Sequence, residues 1–347
     1  MHMANDRRRP NLKDVAALAG TSVATASRVL NNTGYIAGET RIRVLQAAET
    51  LNYQPNLRAK GLRRGSSHTI GVLIPNLLNA YYTALADSIS LLLTQNGYQL
   101  LLSSTRDDPA IESETLRTMI GHDVDGLIWV PTDATPKLLD YLRSQKTPAI
   151  SIVRCVSGNE LDTIVFEDFL GSQAATQHLI QLGHRCIGFI GGDVNHSSNH
   201  ERWQGYLAAL KAASIPEDES LIKLGMVRST WGSLAANELL QLSPPPTALY
   251  VASNAIMAGV MKTLRQHSIH IPEQLSLICF DDLDWFSYFS PPISAVATSH
   301  ERIAESAVDL LLRRIQEPYE PERIPVTVQV SFELVIRNST APPGRPT

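Results

Sequence analysis

The chain has 347 residues, 44% hydrophobic and 18% charged, with a net charge of −4. That is room for two or three domains of ordinary globular composition. No apolar run reaches the length of a membrane-spanning helix, and Met1–Asn11 has basic residues with no apolar stretch behind them, which argues against a secretory signal and for a cytoplasmic protein. Cys155, Cys186 and Cys279 are odd in number and far apart; they read as small buried hydrophobes, not as a disulfide framework or zinc site. The charge is uneven. Eleven Lys/Arg against four Asp/Glu give residues 1–65 a net +7, leaving −11 for the remainder. A basic head on an acidic body points to a polyanion as partner of the head alone.

Leu12 to Leu30 reads as two short helices joined by a tight turn, with Gly20 supplying a position that tolerates positive φ. Val15, Ala16, Leu18 and Ala19 form the apolar face of the first; Ala26, Val29 and Leu30 that of the second. Thr21 or Ser22 can cap the second helix. Its outer face then carries Val23, Ala24, Ser27 and Arg28. Arg28 can donate two hydrogen bonds to guanine O6 and N7 in the major groove, and Val23 and Ala24 are small enough to approach base edges. Ser22, Thr25 and Ser27 can bind phosphates. The competing reading is a helical hairpin that only packs; the surrounding basic charge weakens it. Glu39–Leu51 reads as a third helix, with Val44, Leu45, Ala48 and Leu51 on one stripe closing a small core. Residues 56–67, NLRAKGLRRGSS, are basic and too short for a stable isolated helix, and read as a linker able to fold on binding.

From His68 on, short apolar runs alternate with amphipathic ones. Strands are expected at Thr69–Ile74, Tyr98–Ser103, Gly126–Val130, Ala149–Val153, Cys186–Ile190, near Ser220–Leu224, Ala248–Ala252 and Leu275–Phe280, with extended segments over Val326–Leu334. Helices are expected at Tyr81–Asn96, Ala110–Gly121, Pro136–Ser144, Leu170–Leu182, Glu201–Ala213, Gly232–Gln241, Ala255–His267 and His300–Ile315. Repeated strand–helix units imply an α/β fold with parallel sheets covered on both faces, and so many units imply two sheets. Ligands in such folds sit beyond the carboxyl ends of the strands.

The stretches LKDVAALAGTSVATASRVLNN, ETRIRVLQAAETLNYQPN, RAKGL and SHTIGVLIPNLLNAYY, with VDGLIWVP, HLIQLGHRCIGFIGG, ERWQGYLAAL, PTALYVASNAIMAGVMKTLR and IPEQLSLICFDD, resemble the lactose-repressor (LacI) family of bacterial transcription regulators over nearly the whole chain. The resemblance implies a helix-turn-helix head over 1–54, a hinge helix over 55–67, and a two-lobed, periplasmic-binding-protein-like core over 68–347. The first lobe takes about 68–167 and 297–326, the second about 168–296 and 327–340. It implies a homodimer that reads a pseudo-palindromic DNA operator under control of a small, carbohydrate-derived effector, without cofactor or membrane. Val23, Ala24 and Arg28 match base-reading positions, Tyr53 and Asn56 positions near phosphates, and Ala59 and Leu62 hinge positions that wedge into the minor groove. Arg202 matches an arginine that clamps the ligand, Asp281 an acidic acceptor, and Asn254 an asparagine of the site. Asn79 and Tyr82 lie in the loop after the first strand, and Trp231 and Arg154 are further candidates for the cleft. Arg228 occupies the usual aromatic position. Two arginines beyond Arg202 would suit an acidic ligand such as a sugar acid or phosphate.

An enzyme finds little support. His196 and His200 lie in the loop-like DVNHSSNH without a completing ligand, Gly191-Gly192 is no phosphate fingerprint, and Ser151 and Ser253 lack a nucleophile-elbow context. Of the pair Asp281-Asp282, one reads as an effector acceptor and its neighbour as a surface or structural charge. A transport-type solute-binding protein is the other alternative; it would need a signal peptide and would have no use for a basic head.

Overall fold

A computed structural model describes residues 10–53, 66–132, 135–156, 158, 160–320 and 323–344. The chain divides into two compact units, Met1–Ser67 and His68–Thr347. In the first, α1 (Leu12–Leu18), α2 (Val23–Leu30) and α3 (Gly38–Thr50) enclose Val15, Ala16, Ala19, Ala26, Val29, Val44, Ala47 and Ala48. Gly20 takes the expected positive φ, +61°. Ser22 is the cap of α2, its Oγ accepting from the Thr25 amide at 3.1 Å. α1 is capped by Asn11 in a reciprocal box with Asp14. Two expected core leucines face outward: Leu18 is 54% and Leu45 48% exposed. On α3 the buried stripe runs through 44, 47 and 48, so Ala47 takes the place given to Leu45.

The second unit holds two six-stranded sheets. The first, in the order β11-β5-β4-β3-β1-β2, comprises β1 (Thr69–Ile74), β2 (Gln99–Ser104), β3 (Gly126–Trp129), β4 (Ala149–Ile152), β5 (Asp162–Phe166) and β11 (Thr327–Val330). All its pairings are parallel. Along β1, Ile70, Val72 and Ile74 join a core with α4 (Ala80–Gln95) and α11 (His300–Gln316), while Leu73 joins one with α5 (Pro109–Gly121) and α6 (Pro136–Gln145). Burial on both faces is why the strand reads as an unbroken apolar run.

The second sheet, β12-β10-β9-β8-β6-β7, comprises β6 (Ile187–Gly191), β7 (Ile222–Leu224), β8 (Ala248–Val251), β9 (Ser276–Phe280), β10 (Ser294–Thr298) and β12 (Phe332–Val335), the last antiparallel to β10. α7 (Asp168–Gln181) and α8 (Ser197–Ala212) cover one face, α9 (Ser229–Leu240) and α10 (Asn254–Gln266) the other. α9 and α10 cross on reciprocal glycines: a Cβ on Gly232 would meet the Ile256 carbonyl oxygen, and one on Gly259 that of Ser229.

The chain passes between the two lobes three times, at Glu167, Ser299 and Ser331. The Glu167 amide donates to Val330 O at 3.2 Å, and Arg302 Nη1 donates to Ser331 Oγ at 3.0 Å, tying the passages together. Residues 327–330, expected in the second lobe, therefore belong to the first, because β11 completes the parallel ladder beside β5.

Candidate functional site

On the head, packing of Ala26 and Val29 inward turns Val23, Ala24 and Arg28 outward, all three exposed. Ser22 and Thr25 bond each other through their hydroxyls at 2.9 Å. Asn31 Nδ2 donates to Ser27 O at 2.9 Å, pinning the end of α2. Tyr53 packs against the head core. Asn56, Ala59 and Leu62, with the rest of residues 54–65, lie outside the described residues.

In the core, Tyr81 and Tyr82 lie in the first turn of α4, their ring centroids 5.5 Å apart, and Tyr81 meets Phe166 at the end of β5 edge-on at 6.1 Å. After burial, the charges acting on Tyr82 are those of Arg154 and Asp107 of its own lobe, then Arg202 and Asp281 of the other; on Tyr81 they are those of Asp281, Tyr82, Arg202 and Asp168. Burial raises both phenol pKa values. The Cys155 amide, just after β4, donates to Ser197 Oγ at the start of α8 at 2.8 Å, a direct bond between lobes. A polar cleft thus lies where the family resemblance places an effector.

Its second-lobe side is organised by Arg202, projecting from α8 and only 6% exposed. Nε donates to Asp168 Oδ1 at 2.7 Å and Nη1 to Ala252 O at 2.7 Å, while Nη2 stands 3.8 Å from Asp281 Oδ1. The guanidinium lies 3.7 Å over the Phe280 ring, and Ser172 Oγ donates to the Arg202 carbonyl. Burial disfavours its charge, but Asp168 and Asp281 more than compensate, so its pKa is raised. Burial also pushes the Asp168 carboxyl up to about 6, against the pull of Arg202. Asp281 Oδ2 accepts from Asn254 Nδ2 at 2.9 Å, so Asn254 positions the carboxylate.

On the first-lobe side Arg154, 4% exposed, donates from Nη1 to Asp107 Oδ1 at 2.7 Å and to Pro131 O at 3.2 Å. Its buried Nε meets no acceptor among the described residues. Asn79 caps α4, its side chain accepting from the Tyr81 amide at 3.1 Å.

Backbone strain gathers here. Most non-glycine residues with positive φ follow helix ends, the ordinary place for it. Arg106 and Asp107 after β2, Val153 after β4 and Asp281 after β9 instead stand at strand ends that reach the cleft. Such conformations cost on the order of 1–3 kcal/mol each and cluster at functional sites.

Three expectations change. Trp231 does not join the Arg202 cluster: its Nε1 donates to Gly191 O at 3.1 Å and its ring covers Gly225. Arg228 is exposed at the start of α9, and Arg154 already has a carboxylate partner, so the argument for an acidic ligand loses its cations. The helix expected from Glu201 begins at Ser197, placing exposed His200 inside it and His196 at its cap. Asp282 is structural, as expected, held by Arg337 Nη1 and Nη2 at 2.8 and 2.6 Å. Tyr81 and Asp107 were not singled out as site residues from sequence. Among the described residues no metal-binding group of His, Cys, Asp and Glu occurs, and no helix is long and apolar enough to cross a membrane.

This architecture, a helix-turn-helix unit and a two-lobed α/β core, defines a DNA-binding regulator with a ligand cleft. Residues 11–56 match the model of bacterial regulatory proteins of the lacI family, and 176–340 that of the periplasmic binding protein-like domain. The HTH-type transcriptional repressor PurR of Haemophilus influenzae (strain PittEE) is 30% identical over 328 residues, covering 94% of this chain and 98% of the relative. The transcriptional regulator CelR in complex with cellobiose superposes with a TM-score of 0.71 at 28% identity, over 95% of this chain and 100% of that one. The lac repressor dimer bound to operator and an anti-inducer shares the fold, with a TM-score of 0.83 at 24% identity over 96% and 100% of the two chains. The chain belongs to the lacI family of bacterial regulatory proteins.

Proposed function

We propose that this protein is a dimeric transcriptional repressor whose operator affinity is set by a small, carbohydrate-derived effector held between the lobes of its core. The observation that carries this reading is the joining, in one chain, of an exposed Val23–Ala24–Arg28 face with a cleft built around buried Arg202. The PurR and CelR likenesses support it, the latter having cellobiose bound. A solute-binding protein would have no use for the head. Arg202, Asp281 and Asp168 would hold the effector from one lobe, Tyr82 and Arg154 from the other. Closure of the lobes would be passed through the core to the hinge and thence to DNA affinity.

The test is operator binding by the full chain, using DNA from its own promoter, with and without each member of a sugar panel that shifts its melting. A ligand that changes operator affinity supports the reading; melting shifts that never change operator binding count against it. Leu62→Ala should reduce both operator affinity and the DNA bend measured by fluorescence energy transfer. An unchanged bend removes the wedge assignment.

A further inference from the structure

Carboxylates in the second-lobe half of the cleft outnumber the cations that answer them. Asp168 and Asp281 are 4% and 6% exposed, and both share the one guanidinium of Arg202. Glu201, the neighbour of Arg202, adds its charge to the field on Asp168. Arg202 is engaged by Asp168 and by Ala252 O, and its approach to Asp281, 3.8 Å, is longer than a hydrogen bond. No donor among the described residues reaches Asp281 Oδ1, since Asn254 bonds only Oδ2. The Tyr81 hydroxyl makes an independent second observation. Tyr81 is 6% exposed, its hydroxyl has no hydrogen-bond partner among the described residues, and Asp281, Tyr82, Arg202 and Asp168 all act on it through charge. In the other lobe, Arg154 is already matched by Asp107.

We infer that the effector carries a protonated amine, as in an amino sugar or another aminated polyol, with its ammonium group among Asp168, Asp281 and the Tyr81 hydroxyl. An ammonium has three donors and no acceptor, which suits two carboxylates and a phenol oxygen. It also supplies the positive charge that this buried cluster lacks. A neutral hydroxyl satisfies hydrogen bonds but leaves the charge uncompensated, and an acid adds to the excess. The inference rests on the reading of the cleft as the effector site.

The experiment is titration calorimetry of the full chain with matched sets of glucose, galactose and mannose, their 2-amino-2-deoxy forms, the N-acetylated amines and the uronic acids. Within a set that binds, the free amine should bind at least tenfold tighter than the parent sugar, and the uronic acid most weakly. Asp168→Asn should bring the amine-to-parent ratio toward one. Glu201→Gln, at the surface, should lower it by less, and serves if the buried variant does not fold. Equal or tighter binding of the parent, the N-acetylated form or the acid overturns the inference while leaving the effector reading intact. So does a parent sugar that binds with uptake of one proton, detected by repeating the titration in buffers of different ionisation enthalpy. Binding by no member of any set removes the effector reading, and the inference with it.

Discussion

Single side chains carry the sharpest expectations. Arg28 is exposed on α2 while the helix is fixed by Ala26 and Val29, so Arg28→Ala should leave the head folded. It should cost about 1–3 kcal/mol of operator affinity and relax preference at one base pair, measured by binding to a set of singly substituted operators. Equal loss on every sequence would mean a phosphate contact. Asp168 carries a pH signature. Its folded pKa of about 6 lies above the ordinary 3.8, so between those values the native state binds more protons than the unfolded chain. Stability from this group is therefore present at pH 4 and lost as pH rises through 6, by on the order of 3 kcal/mol. Asp168→Asn cannot titrate. The melting temperature of the wild type minus that of the variant should fall from pH 4 to pH 7, and a difference that stays flat would contradict the shift.

Elements show what pattern alone can and cannot say. Gly259 packs α10 against the Ser229 carbonyl of α9, with no room for a methyl group. Gly259→Ala should destabilise the core by about 1–3 kcal/mol, read as a lower urea midpoint with an unchanged slope. The long amphipathic helices and the apolar strands were legible because burial of both sheet faces leaves an unbroken apolar run, as in Thr69–Ile74. β5 and β10 were not. Their sequences, DTIVF and SAVAT, are five residues each, and in the second Ser294, Ala295 and Ala297 have little strand preference of their own; pairing with neighbours completes them as strands. In the cleft, the family pattern pointed to Arg202, Asp281, Asn254 and Tyr82, with Arg154 as a further candidate. Their bonds were not legible: Asp107 lies 47 residues from Arg154 and Asp168 34 from Arg202, and no local spacing announces either contact. Tyr81 escaped notice because adjacent positions on a helix face differently, and only the fold shows that its hydroxyl is buried without a partner among the described residues.

Across the whole molecule, the opposed charges of head and core predict separable salt responses. Operator affinity should fall steeply with salt, each neutralised phosphate adding about 0.9 to the logarithmic slope, whereas the cooperative melting of a core beginning at His68 should change little. A core whose melting tracks salt as steeply as operator binding would refute that division. The three passages between lobes reach further, into the order of synthesis. Each sheet takes an edge strand from the final stretch of chain, β11 beside β5 and β12 beside β10. On the ribosome neither lobe can therefore close its sheet until residues 327–335 have emerged, whereas every helix of the described head is available before residue 54. A nascent chain thus owns its reading surface long before it owns the apparatus that governs it, and a chain cut short between those points would carry the reading helix without any means of answering a metabolite.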